Sequence, residues 1–144
     1  SAQSGWDHGG QGGWVPQDAL QAGYEANGTT LFACTANYQG GTHPGKVRAG
    51  FGGCNIGYGG REITVRDYSV LIGNGQWIKG AFGFFKPEAV QGGVEANGEA
   101  LYVCRAEYAG GVHPGKIRAG FKGCNIGYGG REYTLPSYDV LLSW

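Results

Sequence analysis

The chain has 144 residues, 31 of them glycine, and its 11 basic and 11 acidic side chains cancel to zero formal charge. With no basic run, that balance argues against nucleic acid or an anionic membrane as an electrostatic partner, and no apolar stretch approaches the roughly 20 residues of a membrane-spanning helix. Glycine far above the usual level of about 7%, without a triplet period, predicts short strands joined by tight turns.

Residues 1–13 are glycine-rich and read as a loosely held arm, although Trp6 and the neighbouring Trp14 argue against simple disorder. From residue 14 onward the chain is a duplicated unit. Residues 14–74 and 84–144 align at a constant offset of 70 without a gap, with 35 identities in 61 positions. Repeats are sought early because they decide the architecture. The repeated string is longest from His43 to Glu62, which returns from His113 to Glu132 with only Val47 becoming Ile117 and Gly52 becoming Lys122. Each unit of about 70 residues would be marginal alone. The two are therefore expected to share one globule, joined by a connector over 75–83 that Trp77 anchors.

Within the first unit, AsnGly at 27–28 between two extended runs predicts a hairpin with a type I′ turn. In its outgoing strand Phe32, Cys34, Ala36 and Tyr38 share one face, matched by Tyr102, Cys104, Ala106 and Tyr108, and this face reads as core. The opposite face carries Thr35 and Asn37 in one unit and Arg105 and Glu107 in the other, and reads as solvated surface. HisProGlyLys at 43–46 reads as a loop, because proline removes a donor and glycines flank it. Strands are expected at 54–58, after the GlyGly turn at 59–60, and at 68–72. No segment shows a sustained helical period. The class is all-β, mainly antiparallel.

Four cysteines occupy matched places, Cys34 with Cys104 and Cys54 with Cys124, and permit three pairings. Within-unit bonds, Cys34 to Cys54 and Cys104 to Cys124, are preferred because duplicating a unit duplicates its internal bond. Zinc is the weaker alternative, since the cysteines lack close CxxC spacing. A first residue that is not methionine reads as either a processed mature form or a trimmed chain, and with the disulfides and the absence of any membrane-spanning run the expectation is a soluble, secreted protein.

Five motifs recur in the same order in both units: GlyTyrGlu, LeuPheAlaCysThrAla, HisProGlyLys, TyrGlyGlyArgGlu and TyrSerValLeuIle, as the first unit spells them. In these the chain resembles the DM-nine repeat family, found in small mannose-binding invertebrate lectins and in natterin-type proteins. The resemblance covers nearly the whole chain. It implies a compact β protein with internal pseudo-two-fold symmetry whose halves exchange strands, and one sugar site per repeat. In such lectins a hairpin carboxylate and the lysine of the Pro-Gly-Lys loop hold adjacent mannose hydroxyls. The matching residues here are Glu25 with Lys46 and Glu95 with Lys116, glutamate standing where that pattern has aspartate. The pore-forming module of natterin-type proteins has no counterpart in these residues.

The residue types suit that reading. Vicinal hydroxyls both donate and accept, so an acceptor-only carboxylate beside a donor-only ammonium reads them. An aromatic wall, from Tyr24, Tyr38 or Tyr58, would cover the apolar face of the ring. The bland alternative is an exposed Glu25–Lys46 ion pair worth about 0–1 kcal/mol. Arg61 with Glu62, and Arg131 with Glu132, either touch ligand or tie down the GlyGly turn. His43 and His113 are candidates for the rim of the sites. Asn55 and Asn125 are expected to satisfy backbone groups.

With three histidines and no calcium-loop pattern, no metal or other cofactor is expected. The glycine-rich stretch 50–60 lacks the lysine and helix of a phosphate loop. A glycosidase pair, Glu25 with Glu62, is the enzymatic alternative, disfavoured by the basic neighbours of both glutamates. A secreted matrix protein without ligand is the structural one. The expected function is thus a metal-independent, bivalent lectin for mannose-containing microbial or cell-surface glycans, as monomer or dimer. Its two sites should lie at roughly opposite ends and differ where Tyr24, Thr42 and Gly52 give way to Val94, Val112 and Lys122.

Overall fold

The computed structural model describes residues 5–142. Its first half contains β1 (Gly5–Gln11), β2 (Gln21–Tyr24), β3 (Thr30–Tyr38), β4 (Gly41–Val47), β5 (Cys54–Tyr58), β6 (Arg61–Val65) and β7 (Asp67–Ile72). Its second half repeats them as β8 (Gln76–Ala81), β9 (Gln91–Val94), β10 (Ala100–Tyr108), β11 (Gly111–Ile117), β12 (Cys124–Tyr128), β13 (Arg131–Leu135) and β14 (Ser137–Leu142). All pairings are antiparallel, in the order β1-β7-β3-β2-β11-β12-β13-β6-β5-β4-β9-β10-β14-β8. Extra β3–β4 and β10–β11 pairings close this sheet into a barrel with outlying strands. The all-β, tandem-repeat reading of the sequence holds.

The order also shows the halves interleaving. Tyr24 of β2 pairs with Val112 of β11, and Val94 of β9 pairs with Thr42 of β4. Glycine permits that approach: a Cβ on Gly23 would lie 2.1 Å from the Val112 carbonyl oxygen, and one on Gly93 would lie 1.9 Å from that of Thr42.

Each half keeps its own core around a disulfide. Cys34 bonds Cys54 and Cys104 bonds Cys124, as the duplication argument expected, with 6.0 Å between the Cα atoms in each. Cys34 faces Gly45 in the register, and a Cβ on Gly45 would lie 2.1 Å from the Asn55 carbonyl oxygen, so glycine lets β4 and β5 lie close together inside the span of the bond. A third cluster is shared, with Leu20, Ala22, Ala33 and Leu71 from the first half and Val103 and Leu141 from the second.

That shared cluster overturns part of the expectation of a solvated second face on β3 and β10, although Asn37 and Glu107 are exposed as expected. Leu31, Ala33 and Thr35 are buried, and the Thr35 hydroxyl donates to the Gly92 carbonyl at 2.5 Å. Arg105 is likewise half-buried, paired with Asp139 at 2.9 Å and stacked 4.3 Å over the Trp77 ring. Sequence alternation identifies one apolar face, but the second becomes interior only because the other repeat covers it.

Three further expectations change. The segment read as a loose arm forms β1 from Gly5 onward and pairs with β7, just as the connector forms β8 and pairs with β14; residues 1–4 of that arm lie outside the described residues. HisProGlyLys is strand, not loop. Pro44 is tolerated because it falls between the two stretches where β4 has a second partner, Val94 opposite Thr42 and Ile56 opposite Gly45. The hairpin turn is not type I′ either, since Gly28 has φ +89 while Asn27 is not among the positive-φ residues. Gly28 N–H donates to the Glu25 carbonyl and Asn27 Oδ1 accepts from Thr29 N–H. This is a turn closed by one left-handed glycine, as in three-residue hairpin loops.

The 20-residue separation of each cystine sets the expected effect of removing it. Replacing both Cys34 and Cys54 with alanine should lower the unfolding free energy by about 3 kcal/mol. Urea denaturation reads this directly, and an unchanged midpoint would contradict it.

Candidate functional site

β4 and β11 lie side by side in the centre of the molecule, and each sends its lysine into the other repeat. Lys46 Nζ donates to His113 Nδ1 at 2.9 Å, lies 3.8 Å from Glu62 Oε2, and sits 5.3 Å from the Tyr128 ring centroid. Lys116 repeats this with His43 Nδ1 at 3.0 Å, Glu132 Oε2 at 3.9 Å and Tyr58 at 5.5 Å. Both lysines are 3% exposed and both histidines are fully buried.

Donation from an ammonium requires Nδ1 to be an unprotonated acceptor, so the imidazole is neutral with its proton on Nε2. Burial, reinforced by the facing lysine, pushes the pKa of each histidine down to about 4. Burial lowers the lysines as well, opposed chiefly by Glu62 for Lys46 and Glu132 for Lys116. The rings are held edge-on to tyrosine, His43 against Tyr58 and His113 against Tyr128, with centroids 5.1 Å apart in both. Nε2 of each histidine is buried, and the backbone of Tyr38 for His43 and of Tyr108 for His113 is the further hydrogen-bonding neighbour of the ring. Gly41 leaves space for this, because a Cβ there would lie 2.9 Å from His43 Nε2. The histidines are therefore interior supports of the lysines and not rim residues.

Glu62 and Glu132 cross between repeats too. Glu62 Oε1 accepts from Gly130 N–H and Glu132 Oε1 from Gly60 N–H, each at 3.1 Å. Each glutamate thus ties down the GlyGly turn of the other unit. A Cβ on Gly57 would lie 2.5 Å from Glu132 Oε2, so glycine makes room for the crossing carboxylate. Arg61 and Arg131 face each other in the register with exposed side chains. Asn55 and Asn125 accept from the Thr64 and Thr134 hydroxyls and not from backbone groups.

The expected Glu25–Lys46 pair does not form as such. Glu25 Oε2 accepts from Arg48 Nε at 2.9 Å, and Glu95 from Arg118 at 2.8 Å. Glu25 still lies within the electrostatic reach of Lys46 and His113. The result is layered. Glu25 and Arg48 keep 20% and 32% of their side chains exposed, Glu62 keeps 12%, and Lys46 behind them keeps 4%.

Arg48 and Arg118 went unnoticed in the sequence, although each stands two residues beyond its lysine and one past the end of its strand. The aromatic neighbours of the lysines come from the opposite repeat. Tyr128 serves Lys46 and Tyr58 serves Lys116, so both clusters have one. Tyr38 packs edge-on to Tyr58 at 5.2 Å, while Tyr24 is 48% exposed and lies beside Glu107–Gly111 of the second repeat.

A family model for the DM9 repeat matches residues 2–65 and 52–135. A solved structure titled as the nematode sperm cell motility protein MFP2B superposes with a TM-score of 0.71 at 17% identity. The match covers 98% of this chain and 46% of that one, so the chain spans about half the length of its structural neighbour, and at this identity the likeness concerns the fold. No curated protein matches the sequence.

The histidines give the molecule a pH dependence. Their pKa falls from 6.5 in the unfolded chain to about 4 in the fold, so below about pH 6.5 the unfolded state binds protons that the native state refuses. Stability should be full above that value and decline as pH falls towards 4, losing about 1–2 kcal/mol per histidine by about pH 5. Urea unfolding across this range checks it. His43→Gln with His113→Gln should flatten the slope, and an equally steep slope in that variant would contradict the assignment.

Proposed function

We propose that this chain, which belongs to the DM9 repeat family, is a secreted, non-enzymatic carbohydrate-binding protein with two composite sites. The observation that carries the reading is the double occurrence of a half-buried cluster of acceptor-only carboxylates interlocked with donor-only cations. Glu25 and Glu62 stand beside Lys46 and Arg48, and Glu95 and Glu132 stand beside Lys116 and Arg118. Adjacent sugar hydroxyls both donate and accept, and charge-assisted bonds to them are about twice as strong as neutral ones. Tyr128 and Tyr58 border the clusters. Mannose-containing glycans are the first candidates, because the resembling lectins use the hairpin carboxylate and the lysine at these positions. Two weak sites on one chain favour multivalent targets such as microbial or cell surfaces.

A structural role without ligand is the second reading. It is favoured by the internal pairing of the same groups, with Glu25 on Arg48, Lys46 on His113 and Glu62 on Gly130.

A glycan array followed by calorimetry separates the two. The lectin reading predicts saturable binding at two sites per chain, unchanged by EDTA, with one site lost in Glu25→Gln and one in Glu95→Gln. Absence of saturable binding to every glycan would overturn it in favour of the structural role.

A further inference from the structure

The two repeats diverge most at one outer edge. Residues 81–86 turn from β8 towards β9, and here Phe82 and Phe84 are 74% and 78% exposed, the most exposed large apolar side chains among the described residues. They border a cleft of about 510 Å³ lined by Ile78, Phe85, Val140 and Leu142, with Lys79 and Lys86 also on its wall. A Cβ on Gly83 would lie 2.2 Å from the Phe121 carbonyl oxygen and 3.7 Å from the Lys122 Cα, which places Lys122 beside the same turn.

The first repeat keeps one exposed aromatic at this edge, Trp14 at the place of Phe84 and 46% exposed, but lacks the rest. Gly12, Pro16 and Gly52 stand where the second repeat has Phe82, Lys86 and Lys122. Gly12 has φ +56 and Phe82 has φ +55, so a bulky residue occupies a left-handed position where glycine costs nothing. The turn is also tied down by hydrogen bonds. Tyr138 Oη accepts from Gly83 N–H at 2.9 Å and donates to the Phe84 carbonyl at 2.8 Å, and Phe82 N–H donates to the Pro136 carbonyl. A strained, firmly held turn that presents two phenyl rings to solvent is not explained by stability.

We propose that this turn is a membrane-docking surface, with Phe82 and Phe84 entering the interface of a bilayer whose anionic headgroups pair with Lys79, Lys86 and Lys122. Charge decides the occupant. Lys79, Lys86 and Lys122 stand against Glu88 and against Asp139, which faces Lys79 in the register and is itself paired with Arg105, so the rim around the apolar tip stays locally basic, which suits an anionic lipid surface. These lysines are distant in sequence, so a chain of zero net charge and no basic run conceals them.

The test is cosedimentation of the full chain with phosphatidylcholine vesicles that contain or lack phosphatidylserine, at low and high salt. Wild type should sediment with the phosphatidylserine vesicles, less so at high salt and much less with phosphatidylcholine alone. Phe82→Gly with Phe84→Ala should weaken binding by at least about tenfold, while Phe82→Gly alone leaves the unfolding midpoint equal or higher because it restores the first repeat's residue. Lys86→Gln with Lys122→Gly should abolish the phosphatidylserine dependence. No binding by wild type, or undiminished binding by the phenylalanine variant, would overturn the proposal. So would a self-association that these variants abolish, since a second copy would then occupy the patch. The vesicles carry no saccharide, so the outcome stands apart from that of the sugar-binding test.

Discussion

Two ammonium groups buried between the repeats govern the molecule. Removing a lysine from water is costly unless its hydrogens find acceptors, and neither repeat supplies the Nδ1 acceptor to its own lysine. Lys46 takes it from His113 and Lys116 from His43, so each half completes the other's polar interior. The crossing glutamates repeat the rule at the periphery, each closing the other unit's turn. A lone repeat would leave its lysine and its GlyGly turn unsatisfied, which is why duplication here produces one interleaved barrel and not two beads.

Close backbone approach makes the exchange possible. Gly23 and Gly93 admit the partner strand's carbonyl, Gly45 lets β4 and β5 lie close together, and Gly57 makes room for the carboxylate of Glu132. The high glycine content thus reflects strand proximity as well as turns. Where a repeated glycine position carries a side chain instead, as at Phe82, the change needs another explanation.

Much of this was legible in the sequence. The duplication, the all-β class and the cystine pairing follow from matched positions at one offset, because they are properties of a single unit copied. What was not legible depends on the other copy. Thr35 alternates like a surface residue and becomes interior only when the second repeat covers it, and Arg105 is half-buried by Asp139 and Trp77, which no alternation pattern shows. HisProGlyLys carries a loop signature and becomes strand because β4 changes partner at Pro44. Glu25 was matched with Lys46 through the family resemblance and complementary charge, whereas Arg48, just past the end of β4, is the cation that pairs with it and Lys46 turns inward. Tyr128 could not be assigned to Lys46, since nothing in a linear reading says which repeat completes which cluster.

The central claim is that each polar cluster is assembled from both repeats, and under the proposed lectin function ligand stoichiometry in paired variants tests it most directly. Lys46→Met with Tyr128→Leu should damage one composite site twice, leaving one bound saccharide per chain by calorimetry. Lys46→Met with Tyr58→Leu should damage both sites and leave none. The reverse outcome, one site retained in the second pair and none in the first, would mean that each repeat builds its site alone and would contradict the account.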